Sequence, residues 1–316
     1  LQAKYDTVTT TTETLSATTD TMVTPAVKST ALSTDEFYGF TAPETQTVKV
    51  EANGSTVIKY YYTRNVYTLS LTLGNGVKSV SATISNPVAT GDDELGENQY
   101  HVYFGDSVTI DAVAEVGYTF KGAWTKTEAG SPDITIGQDT TEGTFTLNVA
   151  QNVGYQAEAT ANEYEVTFDV NGGKALEEGQ DKKTVTYNQK YGALPTPTKD
   201  GFAFGGWYVE DLDDNAPVEG KTLITSETIV SITGPQTLYA YWTVNNYNLT
   251  VIYKYADQEK PAAETLVVSM TYGAEITEAT LQIQKIEGYS HAYVVGGGIS
   301  LPTTMPVGGL TVTVTY

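Results

Sequence analysis

The chain has 316 residues and no cysteine. Disulfides and thiolate metal sites are therefore excluded, and stability has to come from packing and hydrogen bonds. Basic residues are scarce, with 17 Lys and Arg against 38 Asp and Glu. A net charge of -21 excludes a nucleic-acid partner, because phosphate contacts need a basic stripe, and it disfavours an anionic membrane surface. No run of 18 apolar residues is present, so the sequence predicts no membrane insertion. No signal peptide opens it, and Leu1 begins mid-pattern, so the chain reads as an internal piece of a longer protein. Long stretches of Ala, Leu, Glu and Lys are missing too, which leaves room for few, short helices: one over Ile276 to Ile286, capped by Thr277 or Thr280, and a turn at Thr225 to Val230.

What is abundant is threonine and tyrosine, with 52 and 23 residues, both suited to a pleated surface. Strict alternation marks strands at Tyr67 to Leu73, Val108 to Val116, Phe145 to Val149, Tyr164 to Val170, Leu238 to Trp242, Tyr247 to Tyr255 and Leu310 to Tyr316. The fold class is mainly β. The Thr-rich stretch 1 to 35 reads as strands of the first module, with Val8, Leu15, Val23 and Val27 as core contacts, in preference to a disordered tether. Asn53-Gly54, Asn75-Gly76 and Asn171-Gly172 predict tight hairpins, and Gly296 to Gly298 a flexible hairpin tip.

An internal repeat organises the chain. Asn65-Val66-Tyr67, Asn162-Glu163-Tyr164 and Asn245-Asn246-Tyr247 each open an alternating strand, 97 and 83 positions apart. Gly117-Tyr-Thr-Phe-Lys-Gly-Ala-Trp124 echoes Gly201-Phe-Ala-Phe-Gly-Gly-Trp207, with Gly39-Phe40 and Gly288-Tyr289 as reduced forms. Trp124 and Trp207 are the expected core anchors. The boundaries predict four modules, 1-64, 65-161, 162-243 and 244-316, joined by connections short enough for an elongated, articulated rod.

Residues 163 to 243 resemble an internalin-type B-repeat of the Listeria–Bacteroides repeat family. Five blocks carry the likeness in order: Tyr164 to Gly173, Thr184 to Tyr187, Tyr191 to Thr198, Gly201 to Tyr208 and Thr237 to Trp242. The loop Glu210 to Gly220 departs from it by being longer and more acidic. Residues 65-161 resemble a divergent copy. Residues 244-316 are similar to mucin-binding-protein-type modules through a Tyr-x-Val-x-Tyr strand, Gly288-Tyr289 and a closing Thr-Val-Thr-Val-Thr-Tyr strand, and 36-64 resemble the end of another. The resemblance implies small β-grasp-like folds, an extracellular place on a bacterial cell surface, attached to the wall through regions outside this sequence, and service as spacers or adhesive units.

Chemistry is sought and not found. His101 and His291 lie in different modules, no Gly-x-Ser-x-Gly elbow occurs, and acid pairs among 38 carboxylates arise by chance, so no catalytic residue and no cofactor is expected. Asp211, Asp213, Asp214 and Asn215 begin a calcium-loop pattern, but Ala216 replaces its glycine and Thr222 its glutamate, so a solvated loop is expected. Asp92-Asp93-Glu94 with Glu97 forms a second acidic cluster. Lys59 and Lys254, inside strands, are formal candidates for isopeptide links. Tyr60, Tyr61 and Tyr62, with Tyr67 close by, are the candidate binding surface. The expected partners are neighbouring modules of the same chain, and the readings are a non-catalytic stalk or, alternatively, an adhesin for mucin or other host glycans through weak, multivalent contacts.

Overall fold

The computed structural model describes residues 12–85, 95–122, 124–134 and 140–316. The chain divides into two compact units, 1–162 and 163–316. Among the described residues there is no α-helix, and regular structure is almost all strand.

Three stretches share one strand order. In the second unit, Glu163–Asp169 pairs antiparallel with Lys182–Thr186 on one side and parallel with Gln236–Val244 on the other; Phe202–Tyr208 and Leu223–Ile224 complete the sheet. Asn246–Lys254 repeats this arrangement, lying between antiparallel Leu266–Thr271 and parallel Leu310–Thr315, with Ala292–Val295 outermost. In the first unit, Val66–Leu73 lies between antiparallel Gln99–Tyr103 and parallel Val153–Ala157. Each strand opened by an Asn-x-Tyr sequence is thus the first of a central parallel pair. A parallel pair is stable when buried, and the alternation supplies that burial: Leu69 and Leu71, Val166 and Phe168, and Leu249, Val251 and Tyr253 all point inward.

The core of residues 163–244 gathers Val166, Phe168, Val185, Leu238, Ala240 and the two indoles of Trp207 and Trp242. That of residues 246–316 gathers Leu249, Val251, Ile276, Leu281, Met305, Val312 and Val314. The first unit adds a sheet that the other two stretches lack, ordered Glu142–Asn148, Ser107–Ala114, Val77–Ile84. Every second residue of Ser107–Ala114 is buried, which is how a half-buried strand is built.

Local expectations fared unevenly. The segment at Ile276 to Ile286 contains one 3-10 turn, Glu278–Leu281, with Thr277 at its N-cap and Thr280 inside it; the Thr280 hydroxyl accepts from the Thr277 amide at 3.1 Å. None of the Asn-Gly pairs closes a hairpin. Asn75-Gly76 separates Val66–Leu73 from Val77–Ile84, which lie in different sheets. Asn171-Gly172 does have positive φ at both residues, 46° and 76°, but turns within the longer loop between Asp169 and Lys182. Turn chemistry predicts a local reversal and not its hydrogen-bonding partner. Gly296–Gly298 is a 3-10 turn that follows Ala292–Val295, and no hairpin tip. Among the described residues of the Thr-rich stretch, only Met22–Val23 forms a strand, against Val48–Lys49. Leu15 is exposed and contributes nothing to a core. Val8 lies outside the described residues.

Candidate functional site

The feature that recurs is a turn. Phe37–Phe40, Glu115–Tyr118, Lys199–Phe202 and Ile286–Tyr289 each close with the amide of the fourth residue donating to the carbonyl of the first, at 3.0 to 3.2 Å. The third residue is always glycine, with φ of 81°, 80°, 80° and 86°. A type II turn needs positive φ there, which explains why the Gly-aromatic echo survives when the sequence around it drifts.

In each unit such a turn is clasped by the strand that follows. Asn245 donates its amide to the Gly201 carbonyl at 2.9 Å and accepts from the amide of Tyr272 at 2.8 Å. The Tyr272 ring lies flat on Gly201, where an added Cβ would stand 2.2 Å from a ring carbon, and meets Phe202 edge-on with centroids 5.9 Å apart. Asn65 does the same in the first unit, donating to Gly39 at 2.9 Å and accepting from Phe104 at 2.8 Å, with the Phe104 ring 2.2 Å from a Cβ on Gly39. Phe104 also touches Tyr38, Phe40 and Tyr67. The residue after each ring, Gly105 or Gly273, is again left-handed, at 74° and 77°. Asn162 donates to Gly117 at 2.8 Å, and its side-chain oxygen accepts from Thr119 at 2.7 Å, as that of Asn65 does from Thr41. The first clasp has an ionic lock as well: buried Arg64 pairs with buried Asp106 and donates through Nε to the Phe104 carbonyl at 3.0 Å. The Asn-x-Tyr prefix and the Gly-aromatic pair, read as two separate echoes, are two halves of one contact. The aromatic rings of Phe104 and Tyr272 complete it.

The candidate binding tyrosines divide. Tyr60 donates to the Pro25 carbonyl at 2.8 Å and accepts from the Gln46 amide at 3.0 Å, and Tyr62 stacks on Phe37 with centroids 4.0 Å apart. Tyr67 packs on Phe104. Tyr61 is the exposed member. The four do not form one platform. In the acidic loop, Asp214 ion-pairs with Lys199 at 2.8 Å, and Lys199 lies over the Phe202 ring at 4.4 Å. Asn215 accepts from the Val244 amide at 2.9 Å. Leu212, between the exposed Asp211 and Asp213, is buried against Tyr208 and Tyr241. The loop therefore straps down the second face of the sheet. Glu210, its first residue, has its carboxyl held below the usual range by the Thr222 amide. Among the described residues no group of three His, Asp or Glu side chains could hold a metal ion. Asp92, Asp93 and Glu94 lie outside them. His101 lies in the strand Gln99–Tyr103 and His291 stands 3.7 Å from Glu278. Lys59 and Lys254 are both exposed.

Strong pKa displacement follows burial of structural phenols. Burial pushes Tyr155 up to about 12, and Asp133 adds to the shift; burial also raises Tyr191 and Tyr253. Each donates to a fixed acceptor: Pro132, Gln236 and Leu281 respectively. These bonds hold strands and turns in register.

These features define a mainly-β repeat protein whose recurring element is a contact between consecutive sheets. Residues 164–241 match the Listeria-Bacteroides repeat domain, so the internalin-type repeat read from the five sequence blocks is present. Internalin H of Listeria monocytogenes is 28% identical over 145 residues, covering 44% of this chain and 24% of that protein. Two proteins of Evansella cellulosilytica, whose names describe membrane proteins, one of them Gly-rich, are each 30% identical, over 145 and 162 residues. These cover 46% and 51% of this chain but 20% and 16% of the relatives. The chain thus spans a quarter or less of the length of the curated relatives it matches. No helix among the described residues is long and apolar enough to cross a membrane.

Proposed function

We propose that this chain is a non-catalytic spacer region of a bacterial cell-surface protein, built from four consecutive β modules and holding a distal domain away from the cell. The repeat domain and the internalin relative support the surface assignment. The central strand order, with the first strand parallel to the last, is what a β-grasp sheet would use. The observation that carries the spacer reading is the clasp at Gly201, Asn245 and Tyr272, repeated at Gly39, Asn65 and Phe104. A flexible tether needs no such contact. Three polar and aromatic contacts around a single connecting residue remove most of the freedom between two modules, so that length is transmitted instead of being lost to coiling. Attachment to the wall, through regions outside this sequence, completes the reading.

The absence of cysteine makes the test clean. Cysteines introduced at exposed Thr184 and Val267 take spin labels at those two places alone. The expected result is one narrow distance distribution, which Tyr272→Ala broadens while both modules stay folded. A broad distribution in the unaltered chain would sink the spacer reading. The adhesin reading has one observation in its favour, the exposed Tyr61, and it would be promoted by submicromolar binding of one glycan on an array. Hydrolysis of any glycan on that panel, abolished by changing one carboxylate, would overturn the non-enzymatic assignment.

A further inference from the structure

The fourth glycine turn, Ile286–Tyr289, has the geometry of the clasped ones and lacks their cover. Its closing hydrogen bond is 3.2 Å and Gly288 has φ of 86°. A Cβ built on Gly288 meets no atom within 4 Å, whereas on Gly39 and Gly201 it strikes an aromatic ring at 2.2 Å. Tyr289 is 44% exposed, while Phe40 and Phe202, which hold its place in the other turns, are half-buried. Beside the turn opens a groove of about 740 Å³, lined by Glu278, Gln282, Ile286, Tyr289, His291 and Tyr316. Its apolar wall is built: Tyr289 packs on Tyr255 with centroids 5.0 Å apart, and Tyr316 donates to the Gln284 carbonyl at 2.8 Å.

We infer that the Gly288–Tyr289 turn and its groove are the docking surface for a further module of this same repeat type, which seats on Gly288 an aromatic residue equivalent to Tyr272 and Phe104. Continuity with the existing contacts identifies the occupant. Leu310–Thr315 runs beside Ala292–Val295 as Gln236–Val244 runs beside Phe202–Tyr208. By register from the central parallel pairs, Tyr316 occupies the place of Trp242. Asn245, three positions past Trp242, donates to Gly201. An amide three positions past Tyr316 is delivered in the same way to the Gly288 carbonyl. A ring that seats on such a turn needs a bare glycine with an aromatic residue after it, and Gly288 and Tyr289 supply both, with Tyr289 backed by Tyr255. The inference deepens the spacer reading and rests on it for the occupant's identity, but this chain could serve as a spacer with Gly288 uncovered, and the experiment reads only the Gly288 turn.

The test extends the full chain past Tyr316 with Thr-Val, the two residues that separate Trp242 from Asn245, and then a second copy of residues 245–316. Amide hydrogen exchange is followed at Gly288, Tyr289 and Ser290. Docking is expected to slow exchange there roughly tenfold or more, the signature of a locally closed contact. Gly288→Asn in the original copy keeps the turn, since asparagine tolerates this φ, but puts a Cβ where the ring must lie. Tyr272→Ala in the added copy leaves Gly288 untouched. Each is expected to return exchange to the rate of the unextended chain. Unchanged exchange in the extended chain, or protection that survives both substitutions, would overturn the inference. Protection of the unextended chain that grows with its concentration would assign the surface to a second copy instead and overturn the stated occupant.

Discussion

Residues 65–161 and 163–244 solve one packing problem with their large residues exchanged. On the closing strand of the second stretch, Leu238 stands opposite Phe168, and Trp242 follows four positions on along the same face. In the first, Tyr155 stands opposite Leu71, where Leu238 would be, and Ala159 takes the place of Trp242. All four are buried, with at most 4% exposure. The largest side chain of the closing strand therefore sits at a different position along the same face, Tyr155 in the first stretch and Trp242 in the second, and the shape of the core changes with it. The exchange has a polar cost. Trp207 donates to the Pro195 carbonyl at 2.8 Å and Trp242 to Val170 at 3.0 Å. Trp124 is equally buried, and its Nε1 makes no hydrogen bond among the described residues. The first stretch also has the extra three-stranded sheet, with Val108, Ile110, Ala112 and Leu147 buried on it. Divergence here means a core rebuilt around the same central parallel pair.

The largest effect expected is that of Trp207→Ala. The indole contacts Phe168 and Phe204 and fills the centre of the core, so its removal should cost roughly 3–5 kcal/mol. Chemical denaturation followed by hydrogen exchange should show residues 163–244 lost first, with Tyr155 and its neighbours still protected. A loss below about 1 kcal/mol would contradict the anchoring role.

A finer comparison replaces each tryptophan by phenylalanine. Trp207→Phe removes a hydrogen bond and strands the Pro195 carbonyl, whereas Trp124→Phe removes a buried donor that had no acceptor. The first should be worse than the second by about 1 kcal/mol. Equal losses would mean that ring volume alone decides both sites.

The smallest effect at neutral pH is that of ionisation, and it appears only in alkali. The phenol of Tyr155 is raised from its ordinary value of about 10 to about 12, first by burial and then by Asp133. The folded state therefore holds its proton more tightly than the unfolded chain does. That contribution to stability is whole below about pH 10 and is lost as pH rises through about 12. Tyr155→Phe should flatten this alkaline loss for residues 65–161 in denaturant titrations between about pH 10 and 12. The loss in residues 163–244, where burial raises Tyr191, should persist. If both stretches respond alike to the substitution, Tyr155 is not the group that titrates.

Much of this was legible from local pattern. Period-two alternation located the central strands because each residue's face depends only on its neighbours along the chain. Asn-x-Tyr located the strands that begin each repeat, and Gly-aromatic located the turns, because a type II turn demands glycine whatever surrounds it. Asn-Gly misled for the complementary reason: it specifies a reversal of direction, while the sheet that each arm joins depends on contacts far away in sequence. Adjacency in Tyr60 to Tyr62 likewise says nothing of the Pro25, Gln46 and Phe37 groups that engage two of them.

The sequence by itself determined that the chain is β-rich, acidic, free of disulfides and repetitive, and it located the Trp207 core and the repeat over 164–241. Tertiary structure decided that the first and last strands of each repeat run parallel, since direction is set by a crossover spanning most of the repeat. It decided that Leu212 buries itself in an acidic loop, because Tyr208 and Tyr241 leave an apolar surface on the outer face of the sheet. It also decided that Asn65 and Asn245 each join a glycine turn to an aromatic ring. Those three groups are 26 to 71 positions apart in the chain, and only the closing of two sheets around one residue brings them together.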